Sequence, residues 1–253
     1  MTKDINDIKN ALAAYLSRSG VPEFSLKAAL VDMDGVLYDS MPRHARAWVK
    51  MMASLGIECP EEYFYLYEGM TGAAIINQIF KERGMGEVSP EEEAKRLYAI
   101  KAANFVALGQ PEMMPVTIDI LSDLRDNGVK RVLVTGSGQQ SVLDRLSRDY
   151  PGIFPDDCRV TAHDVVHGKP APEPYEKGMA LAGVAPCEAI VIENAPLGIM
   201  AGHAAGCFVI GVTTGPIPEA EMWKAGADLL FPSMSEFHAL LPDILSILKP
   251  SNL

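Results

Sequence analysis

Four short stretches of this 253-residue chain put acids, a lysine and small hydroxyl residues just where apolar runs end. Asp32, at the end of the run at 25–33, and Asp34, just past it, precede Gly35. Two carboxylates this close repel each other unless a cation is shared, and that repulsion either raises one pKa or recruits a metal; hard Mg²⁺ prefers such oxygen ligands. Glu193 adds a third carboxylate and Asn194 a neutral oxygen. Lys169, in Gly168-Lys169-Pro170, supplies the fixed positive charge that an anionic pocket needs to hold a phosphoryl group. Thr135 offers a hydroxyl beside the N–H groups of Gly136 and Ser137. Together they describe a phosphate cradle next to a carboxylate able to attack. Phosphoryl transfer needs mainly positioning and charge neutralisation, and a carboxylate nucleophile turns one hard step into two easier ones.

Each signal has a plainer reading by itself. Asp-x-Asp at a strand end can be a solvated turn, Thr135-Gly-Ser-Gly the start of a capped helix, and Gly-Lys-Pro a loop with an exposed lysine. Their order, each following its own apolar run, is what argues for chemistry.

The elements that must position these residues can be read from periodicity. Apolar runs at 25–33, 131–135, 159–162, 189–193 and 208–212 have the length of buried strands, and helix-spaced segments at 116–127, 139–149, 173–182 and 198–205 separate them. Strands alternating with helices imply a parallel sheet covered on both faces. Ligands of such a sheet sit outside the carboxyl ends of its strands, where these polar residues fall. Between the first two strands lie about 70 residues, far more than a crossover helix needs. Helical spacing at 43–55, 61–66, 72–83 and 90–107 makes this insertion a small all-helical unit, entered near Ser40 and left near Met114.

The net charge of −11 disfavours broad contact with nucleic acid or anionic lipid. The four cysteines are far apart and read as reduced thiols. Residues 1–19 are amphipathic (Ile5, Ile8, Leu12, Tyr15, Leu16) and do not resemble a signal peptide. No stretch approaches the roughly 18 apolar residues of a membrane span, so the cytoplasm is the expected location. Oligomeric state is open between a monomer and a weak homo-oligomer.

The motifs resemble those of the haloacid dehalogenase superfamily, in particular the subgroup of β-phosphoglucomutase and small sugar-phosphate phosphatases. Asp32-Met-Asp34-Gly-Val-Leu-Tyr-Asp39-Ser40 is similar to the first motif and Leu133-Val-Thr135-Gly-Ser137 to the second. His167-Gly-Lys169-Pro-Ala-Pro-Glu-Pro resembles the third and Val191-Ile-Glu193-Asn194-Ala-Pro-Leu-Gly198 the fourth. The resemblance implies a Rossmann-like α/β core with helices on both faces, formed by residues 1–39 and 115–253, with 1–24 as an extra N-terminal helix. It implies a helical cap at 40–114, and Mg²⁺ as cofactor. Asp32 would be the nucleophile, Asp34 the general acid and base, and Thr135 and Lys169 phosphate binders. Asp32, Asp34 through its carbonyl, Glu193 and Asn194 would hold the metal. His44 matches a histidine near the cap hinge, Thr71 lies in the cap's substrate loop, and Lys101 falls near a cap lysine. Trp48 reads as cap core.

Two departures matter. The fourth motif usually carries Glu-Asp, and Asn194 removes one charge, which implies weaker Mg²⁺ binding or, alternatively, a metabolite-binding protein without turnover. Gly72 stands where the mutase has an arginine for a second phosphate, which favours water as phosphoryl acceptor. The expectation is a phosphatase of a small sugar or polyol phosphate, with a β-phosphoglucomutase-like mutase as the alternative.

Overall fold

The computed structural model of the protein describes residues 3–86 and 91–249. The strands are β1 (Ala28–Val31), β2 (Tyr38–Asp39), β3 (Glu112–Met113), β4 (Lys130–Val134), β5 (Arg159–Val160), β6 (Ala189–Glu193), β7 (Phe208–Val212) and β8 (Leu229–Phe231). The helices up to the second strand of the main sheet are α1 (Ile5–Ser19), α2 (Met41–Ala53), α3 (Glu61–Leu66), α4 (Gly72–Glu82), α5 (Glu91–Ala107) and α6 (Thr117–Asp126). Those that follow are α7 (Gln140–Asp149), α8 (Glu173–Ala182), α9 (Pro196–Ala204), α10 (Glu219–Lys224) and α11 (Met234–Leu248).

Six strands form one parallel sheet in the order β5-β4-β1-β6-β7-β8. Every residue of β1, β6 and β7 is buried, as strands covered on both faces require. Alternation divides β1 between two cores. Ala29 and Val31 pack with α1, α6, α7 and α11, while Ala28 and Leu30 pack with α8, α9 and α10. The doubly covered α/β expectation is met. Among the described residues, no helix is long and apolar enough to cross a membrane.

The differences from the sequence reading have local causes. The first strand is shorter than 25–33 because the N–H groups of Ser25 and Lys27 bond to Cys187 and Glu188, which precede β6, and that of Leu26 to Leu248 at the end of α11. The third strand stops at Val160 because the Thr161 N–H turns to the Asp164 carboxylate. β8 and α10 escaped detection, being too short to show a period, and α11 continues through Pro242, which reads locally as a stop. The starting point of the last inserted helix at Pro90 lies outside the described residues.

The inserted segment carries α2 to α5, and its own core stacks Trp48 on Phe64 and includes Ile76 and Ile79. Its two connections to the sheet domain run side by side as the antiparallel pair β2–β3. The N-terminal helix packs on the core through Ile8 and Tyr15 with Leu12 partly covered, whereas Ile5 is 43% exposed and contributes little. Tyr15 donates to the Gly206 carbonyl at 2.9 Å and meets Phe24 and Phe208 edge to face.

Tyr15→Ala removes a fully buried ring and should lower unfolding stability by about 3–5 kcal/mol, read as a fall in Tm. The arrangement at the carboxyl ends of the strands should not change, because Tyr15 packs on Phe208 at the opposite, amino end of β7.

Candidate active site

The carboxyl ends of β1, β4 and β6 converge. Asp32 leaves β1 with its N–H still bonded to the Ile192 carbonyl, so its side chain is aimed by the sheet itself. Lys169, from the loop before α8, inserts among the three ends. Its Nζ donates to Asp32 Oδ1 at 2.6 Å, to Glu193 Oε1 at 2.6 Å and to the Val134 carbonyl at 3.1 Å. Burial works against the ammonium charge, but Asp32 and Glu193 outweigh it and hold the Lys169 pKa above the ordinary lysine range. Asp32 is pushed up to about 8, first by burial, against the pull of Lys169, and further by the charges of Glu193 and Asp34.

This geometry revises two expected roles. The three Lys169 protons are all committed, so the lysine orients and neutralises Asp32 and is not free to grip a phosphate. Glu193 is likewise saturated: Oε1 also accepts from the Tyr175 hydroxyl, and Oε2 from the N–H groups of Asn194 and Ala195. It anchors Lys169 and offers no oxygen to a metal in this arrangement. Tyr175 was not singled out in the sequence, since a tyrosine on an apolar helix face looks like any core residue.

Asp34 lies opposite. Its Oδ1 accepts from the Ser40 hydroxyl at 2.5 Å and pairs with His44 Nε2 at 3.0 Å, and His44 Nδ1 in turn meets Lys101 Nζ at 2.6 Å. Burial raises the Asp34 pKa, yet His44, Ser40 and Lys101 more than offset it and hold the carboxyl at about 2. Burial and the Lys101 charge push His44 down, and burial brings Lys101 to about 7 against the attraction of Asp34. Neutral His44 between a charged lysine and a carboxylate satisfies every contact: Lys101 donates to Nδ1, and Nε2–H donates to Asp34. His44 stacks on Phe105, and Lys101 lies over the rings of Trp48, Tyr98 and Phe105.

A cavity of about 50 Å³ opens between these groups, lined by Asp32, Asp34, Thr135, Gly136, Ser137, Lys101 and His44 together with cap aromatics. The Thr135 hydroxyl accepts from the Ser137 N–H at 3.0 Å, so that N–H is not free as the sequence suggested, while the Thr135 proton remains available for an anion. Thr71 does not line the cavity; it caps α4 by accepting from the Ala74 N–H and packs against Gly168. Asn194 lines a separate hollow of about 100 Å³ with Gly35 and Thr214.

The residue missed altogether is Glu68, in the loop between α3 and α4. It is 5% exposed and accepts from Asn194 Nδ2 at 2.6 Å. Burial, against the Asn194 hydrogen bond, lifts its pKa well above the usual range, and the charges of Asp32, Glu193 and Asp34 lift it further. Nothing local in Tyr65-Leu-Tyr-Glu68-Gly69 separates this acid from a solvated one.

The charge balance bears on a metal. Four carboxyl groups, Asp32, Asp34, Glu68 and Glu193, share this buried space with two lysines, and burial and crowding together raise the pKa values of Asp32 and Glu68, which a divalent cation would bring back down. Among the described residues, no three His, Cys, Asp or Glu side chains form a ready metal cage. Yet Glu68 Oε2 and Asn194 Oδ1 are both buried without a partner. Hard oxygens of mixed kind, unsatisfied and excess in charge, suit Mg²⁺.

Comparison with known proteins agrees with this geometry. A family model described as haloacid dehalogenase-like hydrolase matches residues 26–206. Hexitol phosphatase A of Escherichia coli is 35% identical over 186 residues, covering 74% of this chain and 82% of that protein. Validoxylamine A 7'-phosphate phosphatase of Streptomyces hygroscopicus subsp. limoneus is 30% identical over 218 residues, covering 83% and 95%. A solved structure from Bacteroides vulgatus, described as a candidate beta-phosphoglucomutase, superposes with a TM-score of 0.91 at 44% identity, covering 97% of this chain and 100% of that one.

Burying Lys101 leaves a test in stability. Its pKa falls from 10.5 unfolded to about 7 folded. The unfolded chain therefore binds more protons between those values, and wild-type stability declines as pH drops from 10 to 7, then levels. Lys101→Met removes that dependence. Its Tm relative to wild type should rise as pH is lowered from 10 to 7, by the equivalent of a few kcal/mol; a difference independent of pH would contradict the depressed pKa.

Proposed function

Because the chain belongs to the haloacid dehalogenase-like hydrolases, we propose that it is a phosphatase that moves the phosphoryl group of a small sugar or polyol phosphate first to Asp32 and then to water. The observation that carries this reading is the Asp32 carboxylate tied through Oδ1 to Lys169, with Asp34 facing it from the adjoining loop. One oxygen of Asp32 is held, which leaves the other to attack phosphorus in line. Asp34, ionised before substrate binds, takes up a proton from water as the phosphoryl group brings its negative charge beside it, and passes that proton to the leaving alkoxide from Oδ2, since Oδ1 is already occupied by Ser40 and His44. The same carboxylate then accepts a proton from the water that cleaves the phospho-aspartate, and phosphate departs.

Thr135 and the loop at Gly136 and Ser137 receive the phosphoryl oxygens. Asp32, Asp34 through its backbone, and Asn194 are the groups that would hold Mg²⁺, which when bound neutralises charge gathered on those oxygens. With residues 40–114 acting as a cap over the core of residues 1–39 and 115–253, opening admits substrate and closing removes bulk water.

Water is favoured over a second sugar phosphate as acceptor. Among the described residues, Lys101 is the one lysine or arginine lining the cavity, and it is engaged with His44. A side chain at position 72 would meet the Tyr98 ring at 2.1 Å from its Cβ, so that wall takes no cation without moving Tyr98. The likeness to a structure described as a candidate beta-phosphoglucomutase supports a phosphomutase as second reading.

Phosphate release with Mg²⁺ should be measured across a ladder of leaving groups, from hexitol and hexose phosphates through glycerol phosphate to inorganic pyrophosphate, alongside glucose 1-phosphate interconversion. A sugar or polyol phosphate should be hydrolysed and EDTA should stop it. Isomerisation without net phosphate release would make it a mutase, and turnover of pyrophosphate alone would overturn the monoester reading. Asp32→Asn should abolish turnover. Asp34→Asn should cost about 10²–10⁴-fold with alkyl phosphates but much less with an aryl phosphate, whose leaving group needs no proton; equal losses would remove Asp34 from the acid role.

A further inference from the structure

The second acid expected after β6 is replaced by Asn194, and a carboxylate from the cap comes to meet it. Glu68 and Asn194 are 5% and 2% exposed, and one hydrogen bond of 2.6 Å, from Asn194 Nδ2 to Glu68 Oε1, joins them. The other oxygen of each, Glu68 Oε2 and Asn194 Oδ1, is buried with no partner. With Glu68 ionised both are acceptors, so neither can satisfy the other, and an unsatisfied buried acceptor costs about 1–3 kcal/mol, more when charged, which is why the carboxyl favours a proton when no cation is near. The nearby cations are committed elsewhere, Lys169 to three acceptors and Lys101 to His44. Asp32, Glu193 and Asp34 are close enough to Glu68 to repel it. A proton donor would meet one oxygen; a cation meets both and the charge excess as well.

Glu68 is held in place by how the cap loop meets the core. The Gly69 carbonyl oxygen lies 2.3 Å from where a Cβ on Gly136 would stand, and Lys169 Cδ lies 2.9 Å from the equivalent position on Gly69. The loop carrying Glu68 therefore meshes with the loop at Gly136 and with the lysine in this closed arrangement.

We propose that Glu68 is a ligand carried by the cap, direct or through one water, for the divalent cation, restoring the charge that Asn194 does not provide, so that cation binding and cap closure are coupled. A cation that binds the closed form better shifts the population toward it, and by linkage closure tightens the cation's hold. The core alone then holds the metal weakly and lets it exchange when the cap opens.

This inference rests on the Mg²⁺-dependent reading above, and its test measures binding, not turnover. Metal-free wild type, Glu68→Gln, Asn194→Asp and the double variant would be titrated with MgCl₂ by calorimetry, with compaction followed by small-angle scattering and folding checked by circular dichroism and Tm without metal. Glu68→Gln keeps an oxygen for Asn194 Nδ2 and loses only the charge. It should weaken Mg²⁺ binding by roughly tenfold or more and abolish Mg²⁺-induced compaction. The double variant should regain affinity, because a carboxylate at position 194 returns the charge to the core, but not compaction. Wild-type affinity and compaction in a folded Glu68→Gln would make Glu68 a simple latch and sink the proposal while leaving the phosphatase reading intact. Absence of Mg²⁺ binding in wild type would remove both.

Discussion

A single ammonium group holds the carboxyl end of this sheet together. Lys169 ties the ends of β1, β4 and β6 through Asp32, the Val134 carbonyl and Glu193, and lies over the Tyr175 ring of α8. A charge so deeply buried is tolerated only when every proton finds an acceptor. The interaction is therefore more than a support for Asp32. It fixes how closely three strand ends approach, which oxygen of Asp32 stays free, and where the remaining negative charge has to be met by something else.

That remaining charge connects the core to the cap. The cap sends two groups of opposite sign to the two aspartates' surroundings: Lys101, acting on Asp34 through His44, and Glu68, acting beside Asp32 and Asn194. Both are buried only because the helices around Trp48 and Phe64 close over the strand ends. In the low dielectric created by closure, each of these contacts is stronger than it would be in water, and each would be expensive if its partner were missing. Chemistry and cap position thus depend on the same few charges.

The likeness to phosphatases and to a structure described as a candidate phosphoglucomutase follows this division of labour. In the reading proposed above, the strand ends carry the reacting groups whichever acceptor is used, and the wall opposite them would separate hydrolysis from phosphomutase transfer. Here that wall is aromatic: Trp48, Phe64 and Tyr98 line the cavity, and Tyr98 occupies the space above Gly72.

The sequence alone determined the parallel α/β core, the helical insertion and the acids, lysine and threonine at the strand ends, because these follow from local rules: apolar runs of strand length, helical spacing, and polar residues placed where each run stops. It left unread the short or proline-interrupted elements β8, α10 and α11, whose stability comes from packing, not from periodicity. Only the tertiary structure decided what the polar residues do to one another. Lys169 could be assigned to phosphate from its motif, but three acceptors take its protons; Glu193 could be assigned to metal, but donors take its oxygens. Glu68 became visible only when the cap brought it to Asn194, 126 residues away in the chain. Electrostatic roles depend on which charges share a buried space, and that is set by long-range contacts that no local pattern contains.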